Sequence, residues 1–225
     1  MPDEDEVQLF GNDPGSSLAD VYRPESGSYI RYNLPRLSDQ FDGSGQTIAI
    51  IDSGVLSHHP DIRPRLIEAV DFTGEGVEDQ IGHGTKIALV LAAYTPGARF
   101  ISLKVKGTGR TEADSLIRAI DWVIQSPLVR VVNMATGVYR PLCQADCSVC
   151  QAAKRAAEAR CLLTVAAGNH PGITACPAKA TESVFAIAAI DPKTQLLAEY
   201  SSRSGRGGFA APTPYAPFEW IGGGD

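Results

Sequence analysis

The chain has 225 residues, enough for one α/β domain with a buried core and tight for two. Its 44% hydrophobic and 20% charged residues exclude a disordered or fibrous chain, and no apolar run approaches the roughly 18 residues of a membrane helix. The net charge is −6, with Asp3, Glu4, Asp5 and Glu6 among the first six residues, so there is no basic footprint for nucleic acid. That acidic start is the opposite of a basic secretory leader, and a cytoplasmic protein is expected.

In chain order, residues 1–40 read as an N-terminal arm. Residues 1–27 are polar and rich in Gly, Pro, Asp and Ser, with Tyr29, Ile30, Tyr32 and Leu34 able to pack the arm onto the body. Asp42-Gly-Ser-Gly45 makes a turn. Thr47 to Ile51 is a short β-branched apolar run that suits a strand covered on both faces. Residues 82–93 have a buried-helix pattern, and 99–105 form a second strand. Residues 111–125 form a second helix, with Thr111 as its cap and Glu112 and Asp114 in its first turn. A strand follows at 129–134, an Ala-rich helix at 147–160, and strands at 162–167 and 184–190. Alternation over short connections predicts a doubly wound α/β fold: a mostly parallel sheet with helices on both faces. A domain over 41–213 and a Gly/Pro-rich tail over 214–225 complete the expected organisation.

Reactive groups in such sheets collect past the carboxyl ends of the strands. Asp52 ends the first strand, beside Gly54. His83 lies between Gly82 and Gly84 at a helix start, where an imidazole held by a carboxylate acts as a general base. Asn169 ends Thr-Val-Ala-Ala-Gly-Asn, where an amide can donate to a developing oxyanion. Taken singly, each has a plainer reading: a turn aspartate, an exposed helix-entry histidine, a turn asparagine.

Together and in this order, Ile-Asp-Ser-Gly-Val, Gly-His-Gly-Thr and Ala-Ala-Gly-Asn resemble the subtilisin-like serine protease (subtilase) family. Asp52 and His83 lie 31 residues apart, against about 32 in the family. The resemblance extends over roughly 44–213: His59-Pro-Asp-Ile62, Leu103-Lys-Val105 with Gly107, Thr108 and Gly109, Val132-Asn-Met134 with Ala135, Thr136 and Gly137, then Tyr200-Ser-Ser202 and Ala211-Pro212. It implies a serine endopeptidase. Asp52 would orient His83, His83 would shuttle the serine proton, and Asn169 would stabilise the oxyanion. A peptide or protein substrate would lie extended along Gly107–Gly109 and Ala135–Gly137.

The chain also departs from the family. No Gly-Thr-Ser occurs in it. The nucleophile would lie about 66 residues after Asn169 and about 189 after Asp52, roughly ten residues or more beyond Asp225. The expectation is therefore a chain without the C-terminal part of the family fold, inactive alone. The alternative is a non-catalytic subtilase-like module that binds extended peptides or a protein partner. A nucleotide-binding doubly wound domain is disfavoured, because Asp52-Ser-Gly-Val-Leu is not a phosphate-cradling loop. Lys86, His170, Ala135 and Thr213 stand where the family more often has other residues, and the short Tyr94–Ala98 loop lacks a calcium-binding insertion.

Cys143-x3-Cys147-x2-Cys150 is compatible with a metal knuckle, whose fourth ligand would be Cys161, Cys176 or a histidine. The resemblance instead implies thiols or local disulfides at a pocket rim. No metal and no cofactor is expected, and Cys161 reads as a small core residue.

Overall fold

In the computed structural model, residues 4–10, 41–190 and 196–202 are described, together with the backbone of 215–217. The strands are β1 (Gln8–Leu9), β2 (Thr47–Asp52), β3 (Leu66–Asp71), β4 (Arg99–Lys104), β5 (Val131–Met134), β6 (Thr136–Gly137), β7 (Leu162–Ala166), β8 (Phe185–Ile190) and β9 (Tyr215–Pro217). The helices are α1 (His83–Tyr94), α2 (Ala113–Gln125) and α3 (Ser148–Glu158).

Seven strands form one sheet in the order β3-β4-β2-β5-β7-β8-β9, and each neighbouring pair is parallel. The side-chain period of two splits β2 between two cores. Ile48 and Ile50 pack with Ala88, Leu89 and Ala92 of α1. Ala49 and Ile51 face the opposite way, with residues of α2 and α3. Leu116, Ala119, Ile120 and Val123 give α2 its buried stripe, and Val149, Ala152, Ala153 and Ala156 repeat that spacing in α3. This is the doubly wound α/β fold expected from the alternation.

The eight elements read from the sequence are present with bounds within two residues. Strand β3 was not anticipated; it is a half-exposed edge strand with a register shift between Leu66 and Glu68. Strand β9 falls inside the stretch expected to be tail. Thr111 does not cap α2. The N-cap is Glu112, which makes no side-chain cap bond, and the Thr111 hydroxyl accepts the Gly107 N–H instead. The reason is that the backbone here is already engaged. The Ala113 N–H donates to the Asp5 carbonyl, and the Thr111 carbonyl accepts the Val7 N–H. Tyr200–Ser202 is irregular, with the Ser202 N–H bonded to the Gly168 carbonyl. Tyr29, Ile30, Tyr32, Leu34 and Ala211-Pro212 lie outside the described residues. Among the described residues, no helix is long and apolar enough to cross a membrane.

Candidate active site

Asp52 sits at the carboxyl end of β2 and is fully buried. His83 is the first residue of α1, 4% exposed. The two meet with Nδ1 of His83 2.6 Å from Oδ1 of Asp52, which also accepts the Ser53 N–H at 2.7 Å. Glycine permits this approach: a Cβ on Gly84 would come within 2.1 Å of the Gly54 carbonyl oxygen and 3.1 Å of Asp52 Cβ.

Asp79 fixes the helix entry and escaped the sequence reading. Its Oδ1 accepts the Ser53 hydroxyl and the Ile81 and Gly82 N–H groups. Its Oδ2 accepts the Thr85 N–H and hydroxyl. The Ser53 hydroxyl oxygen in turn accepts the Gly84 N–H, so one buried carboxylate ties the end of β2 to the first turn of α1. A carboxylate there also matches the positive end of the helix.

The segment opposite His83 belongs to the N-terminal arm. Its β1 pairs antiparallel with β6, Gln8 opposite Gly137 and Leu9 opposite Thr136. The Val7 N–H donates to the Thr111 carbonyl at 2.8 Å, and the Phe10 N–H to the Ala135 carbonyl at 2.7 Å. Residues 7–10 thus lie as an added strand between Thr111–Ala113 and Ala135–Gly137. The Phe10 carbonyl oxygen reaches Nε2 of His83 at 2.9 Å. The Phe10 ring is buried edge-on to Tyr139, 5.5 Å between centroids, in a pocket that includes Ala166, Ile173 and Ala175.

Burial pulls the His83 pKa down. The Asp52 charge and hydrogen bond, the Phe10 carbonyl and the more distant Asp79 charge outweigh it, and the pKa rises above its ordinary 6.5.

Asn169 follows the carboxyl end of β7, on the same sheet edge as Asp52. Its N–H donates to Tyr139 Oη at 2.5 Å. Tyr139 therefore links the Asn169 loop to the pocket that holds Phe10. Ser202 pins the same loop: its Oγ accepts the His170 N–H at 3.1 Å and lies 2.8 Å from the Ile173 carbonyl oxygen.

Of the expected substrate-binding residues, Ala135, Thr136 and Gly137 pair with residues 8–10. On the other side the pairing edge runs through Thr111–Ala113. Gly107 donates to the Thr111 hydroxyl, and the Thr108 and Gly109 N–H groups donate to the Glu75 carboxylate at 2.9 and 3.2 Å. Cys143, Cys147, Cys150 and Cys176 gather behind the pocket, while Cys161 sits apart at the entry to β7. Sequence spacing nominated the first three together; nothing in it singled out Cys176.

The family model described as "Subtilase family" matches residues 43–217. The chain is 29% identical over 178 residues to the Subtilase-type proteinase RRT12 of Saccharomyces cerevisiae, covering 72% of this chain and 35% of that protein. It is 30% identical over 176 residues to Proteinase T of Parengyodontium album, covering 73% and 58% respectively. The chain thus spans between about a third and a little over half of these relatives. The crystal structure of a cold-adapted subtilisin-like serine proteinase superposes with a TM-score of 0.67 at 22% identity, over 80% of this chain and 65% of that one.

Proposed function

Because the chain belongs to the subtilase family, we propose that it is a subtilisin-like serine endopeptidase whose described residues form the general-base and substrate-binding side of the site. One observation carries the reading. His83 bonds a buried carboxylate through Nδ1 and, through Nε2, the backbone carbonyl of a peptide segment held as an added strand.

Asp52 keeps a proton on Nδ1 and balances the charge that the ring gains. Nε2 then takes the proton of a serine hydroxyl as its oxygen attacks the scissile carbonyl carbon, and delivers it to the leaving amine when the C–N bond breaks. Asn169 donates to the oxyanion of the tetrahedral intermediate, an effect of about 2.7–4 kcal/mol in acyl transfer. Substrate runs along Ala135–Gly137, with Thr111–Ala113 on the facing side as for residues 5–10, and presents a large apolar side chain to the Tyr139 pocket as Phe10 does. The five cysteines form no disulfide with one another, which supports a reducing, cytoplasmic setting.

The nucleophile is not recognisable within the 225 residues, since no Gly-Thr-Ser occurs in them. Ser201 and Ser202 are buried and commit their hydroxyls to nearby backbone groups. These residues alone therefore hold peptide without turning it over. The occupied groove also favours a second reading, a module that binds extended peptides without cleaving them.

A fluorophosphonate probe on the purified 225-residue protein tests inactivity: no labelled serine is expected, and stoichiometric labelling would overturn it. Binding of a Val-Gln-Leu-Phe peptide to a Phe10→Ala variant tests the groove. Failure to bind there would sink both readings.

A further inference from the structure

We propose that Cys143, Cys147, Cys150 and Cys176 form a structural zinc site, one Zn²⁺ per chain in tetrahedral thiolate coordination, that braces the back wall of the peptide pocket. Their Sγ atoms all lie within 4.8 Å of one another, and Cys143 and Cys150 are 3.9 Å apart. A tetrahedral Zn²⁺ with Zn–S bonds of about 2.3 Å has S···S edges of about 3.8 Å. A disulfide needs about 2.05 Å, and all four thiols are free. The cluster has the span of one ion, not of a multi-iron cofactor.

The surrounding fold is arranged around that point. Cys143 and Cys147 flank a tight turn in which Ala145 takes a left-handed φ of 62° and the Gln144 N–H donates to the Asp146 carboxylate. Cys147 is the N-cap of α3 and Cys150 lies one turn on, so both thiols sit at the end of a helix where the dipole favours thiolate. Cys176 arrives from 26 residues away, clamped by a reciprocal backbone pair with Val138 at 3.0 and 2.8 Å.

Positive groups also stand near the cluster. Four thiolates around Zn²⁺ leave −2. The buried Lys179 ammonium donates to the carbonyls of Arg140, Pro141 and Cys143, and the Arg140 guanidinium donates to the Ser148 hydroxyl in the first turn of α3. Both are cationic, and the Arg140 guanidinium is shared with the Asp5 carboxylate. Cys147 is only partly buried, which leaves an entry path for the ion. Each thiol that binds releases its proton to solvent.

The consequence reaches the groove. Val138 and Tyr139 follow the paired strand β6, and the Cys176 carbonyl oxygen would lie 2.6 Å from a Cβ on Gly137. Fixing Cys176 therefore fixes the wall against which Phe10 packs.

The test is metal analysis of the intact protein, purified from zinc-replete medium and freed of loose ions by gel filtration. About one zinc per chain is expected, with Cys150→Ser and Cys176→Ser lowering retention at least about tenfold and Cys161→Ser keeping it. Should the cluster variants fail to fold, wild-type protein still decides. Cobalt substitution should give the visible spectrum of a tetrahedral tetrathiolate, and thiol titration after denaturation with chelator should count five thiols. A metal-free protein, iron in place of zinc, or a mass lower by four hydrogen atoms with one titratable thiol would overturn the proposal.

Discussion

The Phe10 carbonyl oxygen lies 2.9 Å from Nε2 of His83, on the edge of the ring opposite Asp52. Both ring nitrogens thus face oxygen acceptors. A neutral imidazole carries one N–H and satisfies one of them, whereas an imidazolium satisfies both. The docked N-terminal segment consequently favours the protonated ring, the form that cannot act as a base. Peptide placement and the protonation state of the candidate base are one coupled equilibrium.

Phe10 anchors that segment. Its ring is 3% exposed, and Phe→Ala changes in packed sites cost about 3–5 kcal/mol. Phe10→Ala is expected to release residues 4–10 from the groove while leaving the main sheet folded. Hydrogen exchange reads this directly, because the N–H groups of Val7, Phe10 and Ala113 are bonded across the docked interface. Their protection should collapse in the variant; unchanged protection would show that the ring contributes nothing to docking.

The raised His83 pKa gives docking a pH dependence with a defined sign. A group that binds its proton more tightly in the docked state stabilises that state fully below its pKa in the undocked protein, and the contribution fades as pH rises through the docked value. Docking should therefore weaken as pH rises through the His83 titration. Asp52→Asn removes the largest favourable electrostatic contribution, so the His83 ring signals in proton NMR should titrate at lower pH in that variant. A titration point that stays in place would contradict the Asp52 contribution to the raised value.

What the sequence disclosed and what it hid divide on physical lines. The Asp52–His83 contact was legible because each residue sits in a short motif, at the end of a buried strand and the start of a helix, and the sheet-edge place of Asn169 was legible because parallel pairing puts the ends of β2 and β7 on one edge. Elements with a full apolar period, such as α2 with Leu116, Ile120 and Val123, were legible for the same reason. Strands β1 and β6 have two residues each, too short for any period, and exist only through a pairing between distant parts of the chain. The edge strand β3 exposes Ile67 and Glu68 and so lacks the continuous apolar run of a central strand. Asp79 carries no motif of its own, and its role lies in the five donors that the fold brings to it. Cys176 meets the other cysteines through the Val138 bridge, a contact between distant parts of the chain.

The end of α3 offers a stabilising change. Arg160 has φ 64° and its N–H donates to the Ala157 carbonyl, while the Cys161 N–H closes the turn on the Ala156 carbonyl. This is the position after a helix where glycine is favoured, because a Cβ strains the left-handed backbone. Arg160→Gly should raise stability by roughly 0.5–1 kcal/mol, reduced by the extra freedom of the unfolded chain. Urea denaturation would show a higher midpoint at constant slope. A lower midpoint would mean that Arg160 makes a contribution outweighing the strain.

Asp79 offers the sharpest test of how the base is held. Replacing it by alanine strands the donors of Ser53, Ile81, Gly82 and Thr85 in a buried region. Hydrogen bonds to a charged group are worth about 1.5–3 kcal/mol each, so losing the set should cost at least about 3 kcal/mol. Asp79→Asn keeps the size and one carbonyl oxygen and should lose less. Since Gly84 hangs on Ser53, and Ser53 on Asp79, the alanine variant should also let the first turn of α1 move away from the end of β2. The His83 pKa would then fall toward its ordinary value as the Asp52 contact lengthens, with Asp79→Asn between alanine and wild type. If stability drops but the His83 titration does not move, Asp79 supports the fold without positioning the imidazole.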